Sequence, residues 1–282
     1  MSDRQAALCL DLAGTSRIAC TRQLSRCGEQ VFTLRPDGSD LRALTGGPGE
    51  GDNWGPAWHP DGRSICVTSN RTGHAVLWLL ARDGSDQRQL TGAAEAEDYE
   101  PCWAPHGMTI AFARGDHHAD DLWLLDVPSG QARPLTREQR LDVSPAWSPD
   151  GRWIVFRRAF GRPPGLYIIP AKGGQARMLI PGTHASWAPD GARLACANGP
   201  SLMLLSVDAE GRPTGRARPV VCAAEMLVGA SSWSPDGSTL VFGARVTDAN
   251  GTRERLMIVA AAGGEPRDLA AGSQPSWSPW LD

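Results

Sequence analysis

The chain has 282 residues, a formal net charge of -3, and 41% hydrophobic and 21% charged residues. That length suits one domain or two small ones, and the mild acidity, with no basic stripe interleaved by aromatics, excludes nucleic acid as an expected partner. No apolar run approaches the ~18 residues of a spanning helix, so no membrane span is expected.

Residues 1–15 hold one short apolar stretch, Ala6-Ala7-Leu8-Cys9-Leu10, broken by Asp11. It lacks the basic start and longer apolar segment of a secretion signal, which leads to an expected cytoplasmic location. These residues fall outside the pattern that follows and form an N-terminal extension. Three strand-length runs come next: Ile18-Ala19-Cys20, Val31-Phe32-Thr33-Leu34 and Leu41-Arg42-Ala43-Leu44-Thr45, with the turn Pro36-Asp37-Gly38-Ser39 between the last two.

A repeating tetrad then takes over. It reads Trp58-His59-Pro60-Asp61, Trp103-Ala104-Pro105-His106, Trp147-Ser148-Pro149-Asp150, Trp187-Ala188-Pro189-Asp190, Trp233-Ser234-Pro235-Asp236 and Trp277-Ser278-Pro279-Trp280, with successive tryptophans 40 to 46 residues apart. Each tetrad leads into a β-rich run such as Ile154-Val155-Phe156, then a second such as Leu166-Tyr167-Ile168-Ile169. A glycine turn and a third run, at Leu90-Thr91, Leu135-Thr136 or Arg177-Met178-Leu179, close the unit. Short strands separated by tight turns, with no helical period, define an antiparallel meander of four strands, A to D from the Trp strand outward.

The N-terminal runs read as strands B, C and D without an A, and Gln274-Pro275-Ser276-Trp277 reads as an A strand with nothing after it. Joining them predicts an all-β, six-bladed propeller over residues 16–282, its closing blade shared by the two termini, with no unpaired inner edge. Proline sets φ and Asp-Gly makes the A–B turn, while the Trp is the wedge between blades. Burying one such ring removes roughly 150–250 Å² from water, about 4–6 kcal/mol before entropic costs.

The units PAWSPDGRWIVFRR…GLYIIPAKGGQARML and PAWHPDGRSICVTSNRTGHAVLWLLARDGSDQRQLTG resemble the Trp-Ser-Pro-Asp-Gly propeller repeat of the TolB family. The same WD-like repeat occurs in propeller domains of prolyl-oligopeptidase-like and tricorn-type peptidases. The resemblance covers about residues 16–279 and implies the fold, because this motif is a folding unit that hosts many activities. The chain shows no counterpart of the N-terminal domain of TolB or of a peptidase catalytic domain, and its expected cytoplasmic location departs from that of TolB, which is periplasmic.

The seven cysteines, Cys9, Cys20, Cys27, Cys66, Cys102, Cys196 and Cys222, have no CxxC spacing and read as free thiols of a reducing compartment. Cys27 or Cys102 paired with a histidine is the nucleophilic alternative to a core role.

A meander puts the A–B and C–D turns on one face of the disc and the B–C and D–A connections on the other. The first set is short and stereotyped, and the second varies, so function is expected on the second face. Its D–A segments carry Glu50, Asp52, Asn53, Trp54, Glu95, Glu97, Asp98, Tyr99, Glu100, Asp142 and His184, and its B–C loops carry Arg71, His74, Arg114, Asp116, His117, His118, Asp120, Asp121, Arg157, Arg158 and Arg162. Acids on one side and arginines opposite suit a zwitterionic or carboxylate-bearing ligand. Trp54, Tyr99, Arg71, Arg114 and Arg157 are the ligand-binding candidates, and His184, Glu100, Asp98 and Asp142 the acid/base candidates. Asp116, His117 and His118, completed by His74 or His184 from another blade, are the candidate ligands of a divalent metal ion. Each of these also has a plain reading as solvated loop chemistry. No GxSxG elbow, P-loop, Rossmann glycine fingerprint or HExxH sequence is present. Two functions stay open: a scaffold holding a protein, peptide or small-molecule partner at the channel mouth, or a propeller lyase, cyclase or hydrolase with its site there.

Overall fold

A computed structural model describes residues 16–25, 28–47, 49–92, 96–138, 140–160, 163–248 and 251–279. The N-terminal extension with Cys9, and also Cys27, Glu95, Arg162 and Trp280, lie outside the described residues. Six four-stranded antiparallel sheets make up the fold. Blade 1 is β4 (Asn53–Trp58), β5 (Ser64–Ser69), β6 (Val76–Ala81) and β7 (Arg88–Gln89), and blade 2 is β8 (Glu97–Trp103), β9 (Thr109–Gly115), β10 (Asp121–Asp126) and β11 (Gln131–Pro134). Blade 3 is β12 (Asp142–Trp147), β13 (Trp153–Arg158), β14 (Gly165–Pro170) and β15 (Arg177–Ile180), and blade 4 is β16 (Thr183–Trp187), β17 (Arg193–Asn198), β18 (Ser201–Ser206) and β19 (Arg218–Cys222). Blade 5 is β20 (Met226–Trp233), β21 (Thr239–Asp248), β22 (Gly251–Ala260) and β23 (Arg267–Ala271).

The closing blade has the order β24-β1-β2-β3, with β24 (Ser273–Trp277) pairing antiparallel to β1 (Ile18–Leu24), followed by β2 (Gly28–Leu34) and β3 (Arg42–Ala43). The ring therefore closes as the orphan half-repeats require. The Ser278 N–H donates to Arg17 O at 2.8 Å and the Arg17 N–H donates to Ser278 Oγ at 2.8 Å, locking the two ends together.

The motif does the work expected of it. Asp61, Asp150, Asp190 and Asp236 each accept the backbone N–H two residues on, at 2.8 to 3.0 Å. Where blade 2 has His106 instead, its Nδ1 accepts the Met108 N–H at 3.1 Å, so this histidine is a turn element. Each motif Trp packs on the preceding blade: Trp58 on Ala19 and Val31, Trp103 on Cys66 and Leu77, Trp233 on Ala195 and Leu202, Trp277 on Val241 and Leu256. Trp147 and Trp187, only half-buried, sit likewise against blades 2 and 3.

The outermost strands differ from expectation in register. In blades 1 and 2 they precede the Leu-Thr pairs, and Thr91 and Thr136 instead accept the N–H of Leu77 and Leu122 through their hydroxyls. A threonine hydroxyl thus replaces a backbone partner just where the edge strand ends.

Candidate functional site

The innermost strands make the site. Every one of the six contains a register shift, at Trp54/Ala57, Tyr99/Cys102, Val143/Ala146, Thr183/Ser186, Val228/Ser231 and opposite Ala19/Thr21 in β24. A bulge inserts one residue and re-aims its side chain. The residue concerned stands three before the motif Trp: Gly55, Glu100, Ser144, His184, Ala230 and Gln274, all of which line an axial cavity of about 320 Å³. Glu100, Ser144, His184 and Gln274 have φ between +48° and +53°, and Gly55 has +59°. A side chain in this left-handed region costs of order 1–3 kcal/mol, a strain that recurs at functional positions.

The polar members of the ring are held in place. Ser144 donates its N–H at 2.7 Å and its hydroxyl at 3.0 Å to the same oxygen of Glu100. Gln274 Oε1 accepts the Thr21 hydroxyl at 2.8 Å and the Gly55 N–H at 3.1 Å. Ser186 and Ser231 bridge blades 4 and 5 at 2.9 Å, and His184 Nδ1 sits 3.0 Å from Thr183 Oγ1. Burial pushes the proton affinity of His184 below its ordinary value, with Arg157 acting in the same direction and Glu100 opposing. Both burial and the Arg157 charge thus disfavour a proton on His184, while the Glu100 charge favours one.

Of the acid/base candidates, Glu100 and His184 share this cavity, whereas Asp98 and Asp142 do not line it. Asp98, fully buried, takes Arg114 in a two-point ion pair at 2.5 and 2.8 Å. Asp142, also fully buried, takes Arg158 at 2.7 Å through both oxygens, and this partner raises the Arg158 pKa. Both pairs cross from the start of strand A to the end of strand B, clamping the two strands. Blade 1 has Asn53 and Arg71 there: Arg71 donates to Asn53 at 2.6 Å and to Gln87, and stacks on Trp78 at 4.4 Å.

Of the aromatic candidates, Tyr99 is buried and gives its hydroxyl to Asp120, while Trp54 is half-buried on β4 beside the bulge. Among the metal candidates, His117 pairs with Glu97, Asp116 accepts the N–H groups of His118 and Ala119, and His74 and His118 are exposed. Among the described residues no three His, Cys, Asp or Glu side chains converge to hold a metal ion. Cys102 lines the axial cavity, but burial pushes its thiol up to about 11, opposite to what a nucleophilic cysteine needs. Sequence reasoning missed Ser144 and Gln274; their fixed offset of three from the motif Trp, shared with Glu100 and His184, was the available signal.

Six closed blades whose bulged inner strands ring a cavity define a six-bladed β-propeller with an axial cavity. The chain belongs to the TolB beta propeller domain family, whose model matches residues 84–281. It is similar to the Tol-Pal system protein TolB of Anaeromyxobacter dehalogenans, 32% identical over 89 residues, a match spanning 32% of this chain and only 20% of that protein. Its structure resembles TolB from Acinetobacter baumannii, with 19% identity and a TM-score of 0.81 over 99% of this chain and 71% of that one. It also resembles an oligogalacturonate lyase from Vibrio parahaemolyticus, with 15% identity and a TM-score of 0.60 over 86% and 71% of the two chains. At these identities the solved structures share the fold.

Proposed function

We propose that this propeller is a binding module that holds a peptide, protein segment or small molecule at the mouth of its axial channel, on the face of the B–C and D–A connections. The observation that carries this reading is the ring itself. Four blades place Glu100, Ser144, His184 and Gln274 in strained left-handed backbone, and all four side chains line the channel. A purely structural bulge is served by glycine, as at Gly55. The surroundings of the mouth also support a partner: β21 and β22 run ten residues each and extend to Asp248 and Gly251, and Leu227 and Phe160 are exposed on this face. The five described cysteines are free, which fits a cytoplasmic site of action.

A photo-cross-linking residue at Leu227, compared with one at the similarly exposed Met108 on the opposite face, tests this in cells. Adducts at 227, absent at 108 and lost on adding Glu100→Ala, are expected. Adducts from 108 alone, or none from 227, would overturn the reading.

One observation favours the enzyme alternative: His184 and Glu100 line the same cavity, and burial lowers the proton affinity of His184, the direction that suits a proton acceptor. Recovery of a captured small molecule unchanged after long incubation supports binding; its conversion, lost in His184→Ala, supports catalysis.

A further inference from the structure

Three arginines were candidates for ligand recognition, and the structure treats them differently. Arg71 and Arg114 are used up inside their own blades. Arg157 makes no side-chain hydrogen bond or ion pair among the described residues, although it is only partly exposed on β13. It faces a cleft of about 240 Å³ between blades 3 and 4, lined also by Gly165, Gly182, Thr183, Asn198 and Gly199. Among the described residues no carboxylate lines that cleft, and its other guanidinium, Arg158, is already paired with Asp142 and Glu138.

The cleft opens over the lowest part of the rim. The β17–β18 hairpin turns directly at Gly199-Pro200, with Asn198 opposite Ser201, whereas β21–β22 on one side extends to Asp248 opposite Gly251, and on the other side β13 ends at Arg158 and β14 begins only at Gly165. A Cβ on Gly199 would meet nothing within 4 Å, so the turn borders open space. At its inner end the cleft is lined by Thr183, whose chain neighbour His184 lines the axial cavity.

We propose that Arg157 anchors a carboxylate of the bound ligand, which crosses the low rim of blade 4 and reaches His184 and Glu100 in the channel. A guanidinium offers a planar fork that matches a carboxylate through two charge-assisted hydrogen bonds. A doubly charged phosphate is served by several cations, whereas among the described residues the lining of this cleft supplies a single guanidinium outside an ion pair. The inference rests on the channel-mouth reading and adds the ligand's chemical class.

The test uses the full chain and three probes: N-acetyl-tetraalanine with a free C-terminal carboxylate, its C-terminal amide, and glutarate. Binding is read from the Arg Nε–H and His ring resonances. The free-acid peptide is expected to shift the Arg157 and His184 signals, and Arg157→Gln to weaken it at least about tenfold, as loss of a hydrogen bond to a charged group implies. Arg133→Gln, on the outer strand of blade 2, is expected to change nothing. Glutarate binding as well as the peptide identifies a free small acid, and weaker glutarate binding identifies a peptide end. Equal binding of the amide, affinity unchanged in Arg157→Gln, or no shift from either acid would overturn the anchor. Should that happen with Leu227 cross-links intact, the carboxylate assignment alone fails.

Discussion

Ser144 in blade 3 gives both its backbone N–H and its hydroxyl to one oxygen of Glu100 in blade 2, so a single carboxylate oxygen joins two inner strands across the channel wall. The Glu100 side chain is thereby held in one orientation, which under the proposed binding role lowers the ordering cost of holding a ligand. Ser144→Ala removes the hydroxyl and keeps the N–H. Expected is a loss of about 0.5–1.5 kcal/mol in stability and a weaker cross-link yield at position 227, read from denaturant melts and cross-linking side by side.

His184→Gly separates function from fold more sharply. Glycine relieves the left-handed strain at φ +50°, worth about 1–2 kcal/mol, and adds roughly 0.5–1 kcal/mol of unfolded-state entropy. Stability is expected to stay near wild type while ligand capture is lost. A melting temperature that falls in step with the loss of capture would identify His184 as a packing residue.

The same histidine sets a pH dependence. Its folded-state proton affinity is below the ordinary value of 6.5, chiefly through burial. As pH falls through that value the unfolded chain takes up a proton that the folded chain refuses, so folding stability declines from near pH 6.5 downward and levels off once His184 itself titrates. His184→Gln is expected to lose less melting temperature than wild type between about pH 7.5 and 5.5. Identical slopes would show that His184 carries none of this dependence.

Asp142 and Arg158 form a buried clamp, and breaking it from one side leaves a charge without its partner. Asp142→Asn or Arg158→Met is expected to cost about 3–5 kcal/mol, and the Asp142→Leu/Arg158→Met double variant distinctly less. Denaturant unfolding of the three variants measures it; an additive double variant would mean the pair is not interacting.

Deleting residues 273–282 removes β24 and the Trp277 ring from its place on Val241 and Leu256. Exposure of the β1 edge and of that cluster predicts loss of cooperative unfolding or aggregation. A single sharp transition within a few degrees of the full chain would show closure to be dispensable.

The architecture was legible in the sequence because each repeat encodes it locally. Asp150 accepts from the backbone of its own turn, Trp147 recurs at blade spacing, and the unpaired Gln274–Trp277 segment can complete only the unpaired N-terminal runs. The lining of the axial cavity was legible only in part. Glu100 and His184 were recoverable from their place in the chain, but nothing in the sequence says that Arg114 is spent on Asp98 and Arg158 on Asp142 while the side chain of Arg157, one residue away, has no hydrogen-bonded or ion-paired partner among the described residues. Those assignments depend on strand pairing, in which side chains alternate between faces, so that Arg158 turns toward Asp142 and Arg157 toward the neighbouring blade. The bulges are likewise a tertiary decision: they arise where six inner strands converge on one axis, and they turn an ordinary position three before each Trp into the lining of a channel.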